Sequence, residues 1–297
     1  EQDYSNFELL LINDGSFDNS LSIINSFQKN DNRIHVFSQI NSGVNKARKI
    51  GFEKSSGDYI MFLDADDKLN PQALTTLFNA FEDDVDLVSG SIKASPSNRI
   101  WLHKKLGFLN KNEYAKSIAI GKSYGYIYAS LYRKRLFHKE VFDVESSFEI
   151  GEDVLMKIYL CKLLKKAKNI SDVVYDYIDN DTSMMNTKIL HPSYYFRYMD
   201  KRNEILNKIN VSINGIITEL NILDSKNLIN LFLQKNIPFD KETYYNLKPY
   251  VEYCNYKHKL LYSSKYTVLF YKKLISFFGI MLQIMHIKNY SKPTILY

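Results

Sequence analysis

Three carboxylates fall within four residues, at Asp64, Asp66 and Asp67. They follow an apolar run, Tyr59–Leu63, which reads as a short buried strand with Gly57 as a turn signal before it. At the C-terminal end of a strand, such a cluster lies where open α/β sheets bind ligands. Three like charges in one turn repel unless a positive group offsets them. A divalent cation carrying a diphosphate is such a group, because Mg²⁺ and Mn²⁺ take one or two carboxylates plus phosphate oxygens. The alternative is a solvated acidic loop leading into the helix at Pro71, and an Asp-x-Asp triplet alone does not decide between them.

Other residues carry the same ambiguity. Asp14 ends a second apolar run, Phe7–Ile12, in the turn Asn13-Asp14-Gly15-Ser16. There it can accept a hydrogen bond from a ligand N–H, or close an Asx turn. Arg48 follows the helix start Asn41-Ser42-Gly43; its guanidinium fork suits a nucleotide base and a phosphate, and equally a surface charge. Glu152 and Asp153 follow Gly151 at the start of a helix, where the dipole by itself favours acids. Trp101 and Tyr126 offer aromatic faces that stack on sugars or fill a core. His191, in Leu190-His191-Pro192, offers a further metal contact, but a lone histidine reads first as structural.

The elements that must position these residues alternate. Strands are expected at Phe7–Ile12, Ile34–Phe37, Tyr59–Leu63, Asp86–Gly90 and Val173–Tyr177. Helices are expected over 18–29, from Asn41, over 71–81 and over 154–166. This order predicts an α/β domain with a largely parallel sheet flanked by helices over residues 1–190. Residues 95–135 are less regular. A mainly helical, basic extension is expected over 191–297.

The 297 residues are 45% hydrophobic and 24% charged, ordinary for a globular chain with a substantial core. Residues 1–190 hold 24 Lys+Arg against 26 Asp+Glu, a net −2, whereas 191–297 hold 15 against 7, a net +8. The basic part suits an anionic surface, lipid or nucleic acid, or is simply a solvated basic face. Cys161 and Cys254 have no metal-ligand spacing and fit a reducing compartment. Leu274–Ile287 is nearly all apolar, with Ser276, Gly279, Gln283 and His286 on one helical stripe and lysines at both ends. It is too short to span a bilayer, so 274–288 either lies in a membrane interface or packs against the fold or another subunit.

Four segments together resemble a bacterial family-two glycosyltransferase with the GT-A fold. They are Tyr4–Ser20 with its Asn-Asp-Gly-Ser turn, Asn41–Gly51 containing Ala47-Arg48, Gly57–Asp67, and Gly151-Glu152-Asp153. The chain opens at Glu1 part-way into the family pattern. The resemblance implies a strand and helix upstream of Gln2 that form one wall of the nucleotide pocket and are absent from this sequence. Asn13 stands where the family usually has Asp, and Lys49 where it usually has Asn.

The resemblance implies an inverting, metal-dependent enzyme moving a sugar from a nucleotide donor, UDP above all. The acceptor is a hydroxyl of a saccharide or lipid-linked molecule in bacterial surface polysaccharide or glycolipid synthesis. It implies Asp14 and Arg48 at the nucleotide, Asp66 as ligand of Mn²⁺ or Mg²⁺ with Asp64 at the ribose or metal, and Asp153 as general base; Asp67 buttresses the loop. A cytoplasmic place follows, at the inner membrane face if 274–288 binds lipid, with no nucleic-acid partner and a homo-oligomer open. The rivals are a nucleotidyltransferase on a similar sheet and a non-catalytic glycosyltransferase-like partner subunit.

Overall fold

The structure, a computed structural model, describes residues 2–144, 148, 150–179, 192–221, 223–224 and 227. The chain divides into two compact units, one of residues 1–188 with 200–216 and one of 189–199 with 217–297. In the second unit the described residues, within 192–199 and 217–227, are helical. Cys254 and the amphipathic stretch 274–288 lie outside the described residues, as do His191 and most of the basic extension.

The first unit begins with β1 (Leu9–Asn13), α1 (Ser20–Asn30), β2 (Ile34–Ser38) and α2 (Val44–Lys54). β1 and β2 pair in parallel, Leu9 opposite Ile34 through Asn13 opposite Ser38. β3 (Tyr59–Ile60), β4 (Lys68–Leu69), α3 (Ala73–Asn79) and β5 (Leu87–Ser95) follow. Then come β6 (Arg99–Trp101), β7 (Gly107–Asn110), α4 (Lys111–Ala119), β8 (Ser130–Arg133), α5 (Lys139–Phe142), α6 (Glu152–Leu160) and β9 (Lys166–Ile178), and α7 (Pro192–Lys208) closes the described elements.

β3, β8, β5, β9 and β4 lie in that order in a larger sheet, with β6 beside β5 and β7 beside β9. The α/β layering agrees with the expectation from sequence. The larger sheet is mixed: β5–β9 is parallel and its other pairs are antiparallel, while β1 and β2 form a separate two-stranded parallel sheet. β5 is buried along almost its whole length, as a strand covered on both faces must be. Val88, Ile92, Tyr128, Val174 and Tyr175 form the core with Ala73 and Leu77 of α3. β5 and β9 approach so closely that a Cβ on Gly90 would lie 2.5 Å from Val174 Cγ2.

Some boundaries differ from the sequence pattern. Of Tyr59–Leu63, only Tyr59 and Ile60 pair as a strand, and Phe62 adds a single bridge to Tyr128. The chain then peels away into the acidic turn. The helix expected to run to 166 stops at Leu160, and a turn delivers the chain to β9. β9 starts seven residues before Val173 because its first half, rich in Lys, Asn, Ser and Asp, hides the strand signal.

Candidate active site

The acidic turn is built against β9. The Tyr175 hydroxyl accepts from the Asp64 N–H at 3.2 Å and donates to Asp67 Oδ2 at 2.7 Å. The other Asp67 oxygen accepts from the Ile178 N–H at 2.7 Å. Asp67 therefore ties the turn to the strand behind it, while Asp66 stands exposed at the tip. Tyr175 was not singled out from sequence; an aromatic on a strand gives no sign that its hydroxyl holds a distant turn.

Arg48 joins this turn to the start of α6. Its guanidinium, on α2, lies 3.0 Å from Glu152 Oε1 and 3.5 Å from Asp64 Oδ1. The Arg48 and Glu152 side chains are each only 10% exposed. Burial opposes the charge on Arg48, yet Asp64, Asp153 and Glu152 outweigh it and hold the guanidinium firmly protonated. Burial raises the Asp64 carboxyl; Arg48 counters this and Asp66 adds to it. Glu152 was seen in the sequence only as a neighbour of Asp153, and its pairing with a residue 104 positions earlier had no local signature.

Asp153 sits half-buried in the first turn of α6. Gly151, at φ 84°, sets the chain's entry into that helix in a conformation that favours glycine. Burial pushes the Asp153 carboxyl up to about 7; Glu152 reinforces this, Arg48 opposes it, and Asp64 adds a smaller push. Asp64, Arg48, Glu152 and Asp153 are thus one electrostatic cluster.

Beneath Asp153, one helical turn on, Lys157 is fully buried. Its Nζ donates to the Tyr126 carbonyl at 2.8 Å and to Ser130 Oγ at 2.9 Å. Burial drives its pKa down to about 7. Lys157 was missed from sequence, although its i+4 spacing from Asp153 places both on one helix face.

Tyr126 is tied to α6 through its carbonyl, which accepts from Lys157. Its ring stacks 5.0 Å from Tyr128, which stacks 4.6 Å from Tyr175, so an aromatic row runs to the acidic turn. Trp101 lies 6.1 Å from Tyr126 and 5.4 Å from Tyr177. Both Trp101 and Tyr126 pack partly buried against the core. The phenol of Tyr126 is pushed up to about 12, first by burial and then by Asp153.

Asp14 lies at the end of β1 beside the start of α2. Its carboxylate accepts from the Ser42 N–H and the Gly43 N–H, each at 2.9 Å, and from the Gln39 amide. Three of its roughly four acceptor positions are therefore taken within the protein. Asn13 Oδ1 accepts from the Ser16 N–H at 3.1 Å, three residues on, and so braces the turn from within. Among the described residues no three His, Cys, Asp or Glu side chains form a cation site by themselves. Asp64 and Asp66 remain a two-carboxylate set, which suits a cation that completes its shell with diphosphate oxygens.

The sequence model of glycosyl transferase family 2 matches residues 1–141. Over that segment the chain is similar to this family. The chain is 28% identical over 191 residues to the uncharacterized glycosyltransferase EpsJ of Bacillus subtilis, covering 62% of this chain and 56% of EpsJ. It is 30% identical over 195 residues to the glycosyltransferase GlyA of Streptococcus pneumoniae, covering 59% of this chain and 27% of GlyA. The chain thus spans about half the length of EpsJ and less of GlyA. Among solved structures, the 1-349 fragment of S. aureus TarS superposes with a TM-score of 0.64 at 16% identity, covering 85% of this chain and 73% of that fragment. The same fragment in complex with UDP-GlcNAc gives a TM-score of 0.56 at 17% identity, covering 77% of this chain and 74% of the fragment. These likenesses establish the GT-A fold. Glu152 and Asp153 lie just past the matched family segment.

Proposed function

We propose that this domain is an inverting glycosyltransferase that moves a sugar from a UDP-type donor to a hydroxyl of a saccharide or lipid-linked acceptor. The observation that carries the reading is the Arg48 bridge. One buried guanidinium holds the acidic turn at Asp64 and the start of α6 at Glu152, next to Asp153. A site for the leaving diphosphate and a site for a base are therefore locked together. That the TarS fold has been solved with UDP-GlcNAc supports the donor class.

Asp66 and Asp64 are the residues to hold a divalent cation, which when bound offsets the charge growing on the departing diphosphate. Arg48 keeps donors beyond those given to Asp64 and Glu152, enough to meet a phosphate oxygen. Asp14 fixes the turn at Ser42 and Gly43 and has room for one further donor, such as a base N–H. Asp153, ionised, accepts the proton of the acceptor hydroxyl as that oxygen bonds to the anomeric carbon. The bond from the anomeric carbon to the diphosphate breaks on the opposite face, and the sugar inverts. A carboxyl poised near neutral pH is a better base than an ordinary aspartate.

The test is UDP release from UDP-sugars by the wild type and Asp153→Asn. The variant is expected to lose about 10²–10⁴-fold in rate, the usual weight of a general base, with UDP affinity nearly unchanged. Transfer that survives in Asp153→Asn would remove the base assignment.

A further inference from the structure

The loop Leu102-His103-Lys104-Lys105-Leu106 joins β6 to β7 and is fixed at three points. His103 is buried; its Nε2 lies 3.0 Å from the Gly90 carbonyl, and its Nδ1 accepts from the Tyr124 N–H at 3.2 Å. With Nδ1 an acceptor, Nε2 must be the donor to Gly90. Burial, with Lys157 adding to it, pushes this imidazole down to about 4, so the ring is neutral, as that pairing needs. The Lys104 N–H donates to the Lys122 carbonyl at 2.8 Å. Asn169 Nδ2 donates to the Lys105 carbonyl at 2.8 Å.

These anchors set the backbone so that both leucines face water. Leu102 and Leu106 are each 51% exposed, and Ile100 on the adjoining strand is 52% exposed. A loop free to relax would turn such side chains inward, so their fixed exposure points to a partner. Along this stretch of the sequence the charge is one-sided. From Arg99 to Tyr124 the chain carries Arg99, Lys104, Lys105, Lys111, Lys116 and Lys122 against the single acid Glu113. That excess sits within residues 1–190, whose own net charge is −2. Glu113 pairs with Lys105 at 3.1 Å, and Lys104 is exposed.

We propose that the β6–β7 loop docks the protein on an anionic lipid bilayer. The leucines enter the boundary of the acyl region, and the lysines meet the headgroup phosphates. A second copy fits poorly, because a two-fold contact places the same basic patch against itself. The loop's inner anchor is the Tyr124 backbone. The Tyr124 ring stacks 6.0 Å from Tyr126, the aromatic neighbour of Asp153. The membrane therefore lies on the Tyr126 side of the cluster. This inference goes beyond the sugar-transfer reading and does not depend on it.

The test is co-sedimentation of the full chain with vesicles of phosphatidylcholine, alone or mixed with phosphatidylglycerol. Binding is expected only to the anionic vesicles, and to weaken as salt is raised. Each lysine near an anionic leaflet is worth about fivefold in affinity, so Lys104→Glu with Lys105→Glu is expected to cost more than tenfold. Leu102→Ser with Leu106→Ser is expected to cost about tenfold or more. UDP affinity, read on the same samples, is expected to stay unchanged in both variants, so the two readings fail separately. The docking is overturned if the wild type ignores anionic vesicles. It is equally overturned if both variants bind as the wild type does, which places the contact elsewhere. A change in self-association by sedimentation velocity, without any change in vesicle binding, would give the patch to a second copy and overturn it too.

Discussion

Asp153 must lose its proton before it can take one from an acceptor. With its carboxyl raised to about 7, chiefly by burial and then by Glu152, kcat/KM is expected to fall about tenfold per unit below that pH. The same shift has a consequence for stability. A carboxyl whose folded pKa is raised stabilises the fold below its unfolded value of about 4, and that contribution is lost as pH rises through about 7. Asp153→Asn is therefore expected to melt higher than the wild type at pH 8, with little difference at pH 4, while turning over far less donor. A thermal scan at the two pH values checks this, and equal melting at pH 8 would show that Asp153 carries no such penalty. At Arg48, substitution by Met leaves Asp64 and Glu152 facing each other without a cation. Removing one partner of a buried pair costs about 3–5 kcal/mol. Arg48→Lys should recover only part of this in urea unfolding, because one ammonium cannot fork between Glu152 at 3.0 Å and Asp64 at 3.5 Å.

At the scale of elements, α6 is the part to perturb. A Cβ on Gly125 would meet Val154 Cγ1 at 2.8 Å and Ile118 Cγ2 at 3.1 Å. Gly125→Ala must therefore push on the first turn of α6, at a cost of about 1–3 kcal/mol in denaturant unfolding, and should lower turnover by moving Asp153. Lys157 makes a separate prediction. Its folded pKa lies at about 7, below the unfolded value, so stability is lost as pH falls through about 7 and recovers towards the unfolded pKa. Wild-type stability should rise by up to about 1.4 kcal/mol per unit above pH 7 from this group. In Lys157→Met that component of the slope should vanish. The contrast shows what was legible in the chain. Apolar runs marked β1, β2 and β5, and the acidic turn announced itself because three like charges in four residues are costly. Arg48–Glu152, Tyr175–Asp67 and Lys157–Tyr126 carried no local signal, since each joins residues 31 to 108 positions apart. Short strands such as β6 and β7 escaped because three or four residues hold too little periodicity to read.

Over the whole domain, the acidic turn, α2 and α6 meet at the Arg48 guanidinium, and a nucleotide that binds only the folded form must stabilise the fold by mass action. UDP at 100-fold over its Kd should add about 2.7 kcal/mol, seen as a rise in melting temperature. That rise should be larger with Mn²⁺ present than without it. The most direct measurement of the central claim is isothermal titration of UDP into the wild type and Asp66→Asn, each with and without Mn²⁺. The expected result is binding by the wild type that Mn²⁺ tightens, with the Mn²⁺ effect lost in Asp66→Asn. UDP affinity that is the same with and without Mn²⁺ in the wild type would contradict a diphosphate–cation site at Asp64 and Asp66.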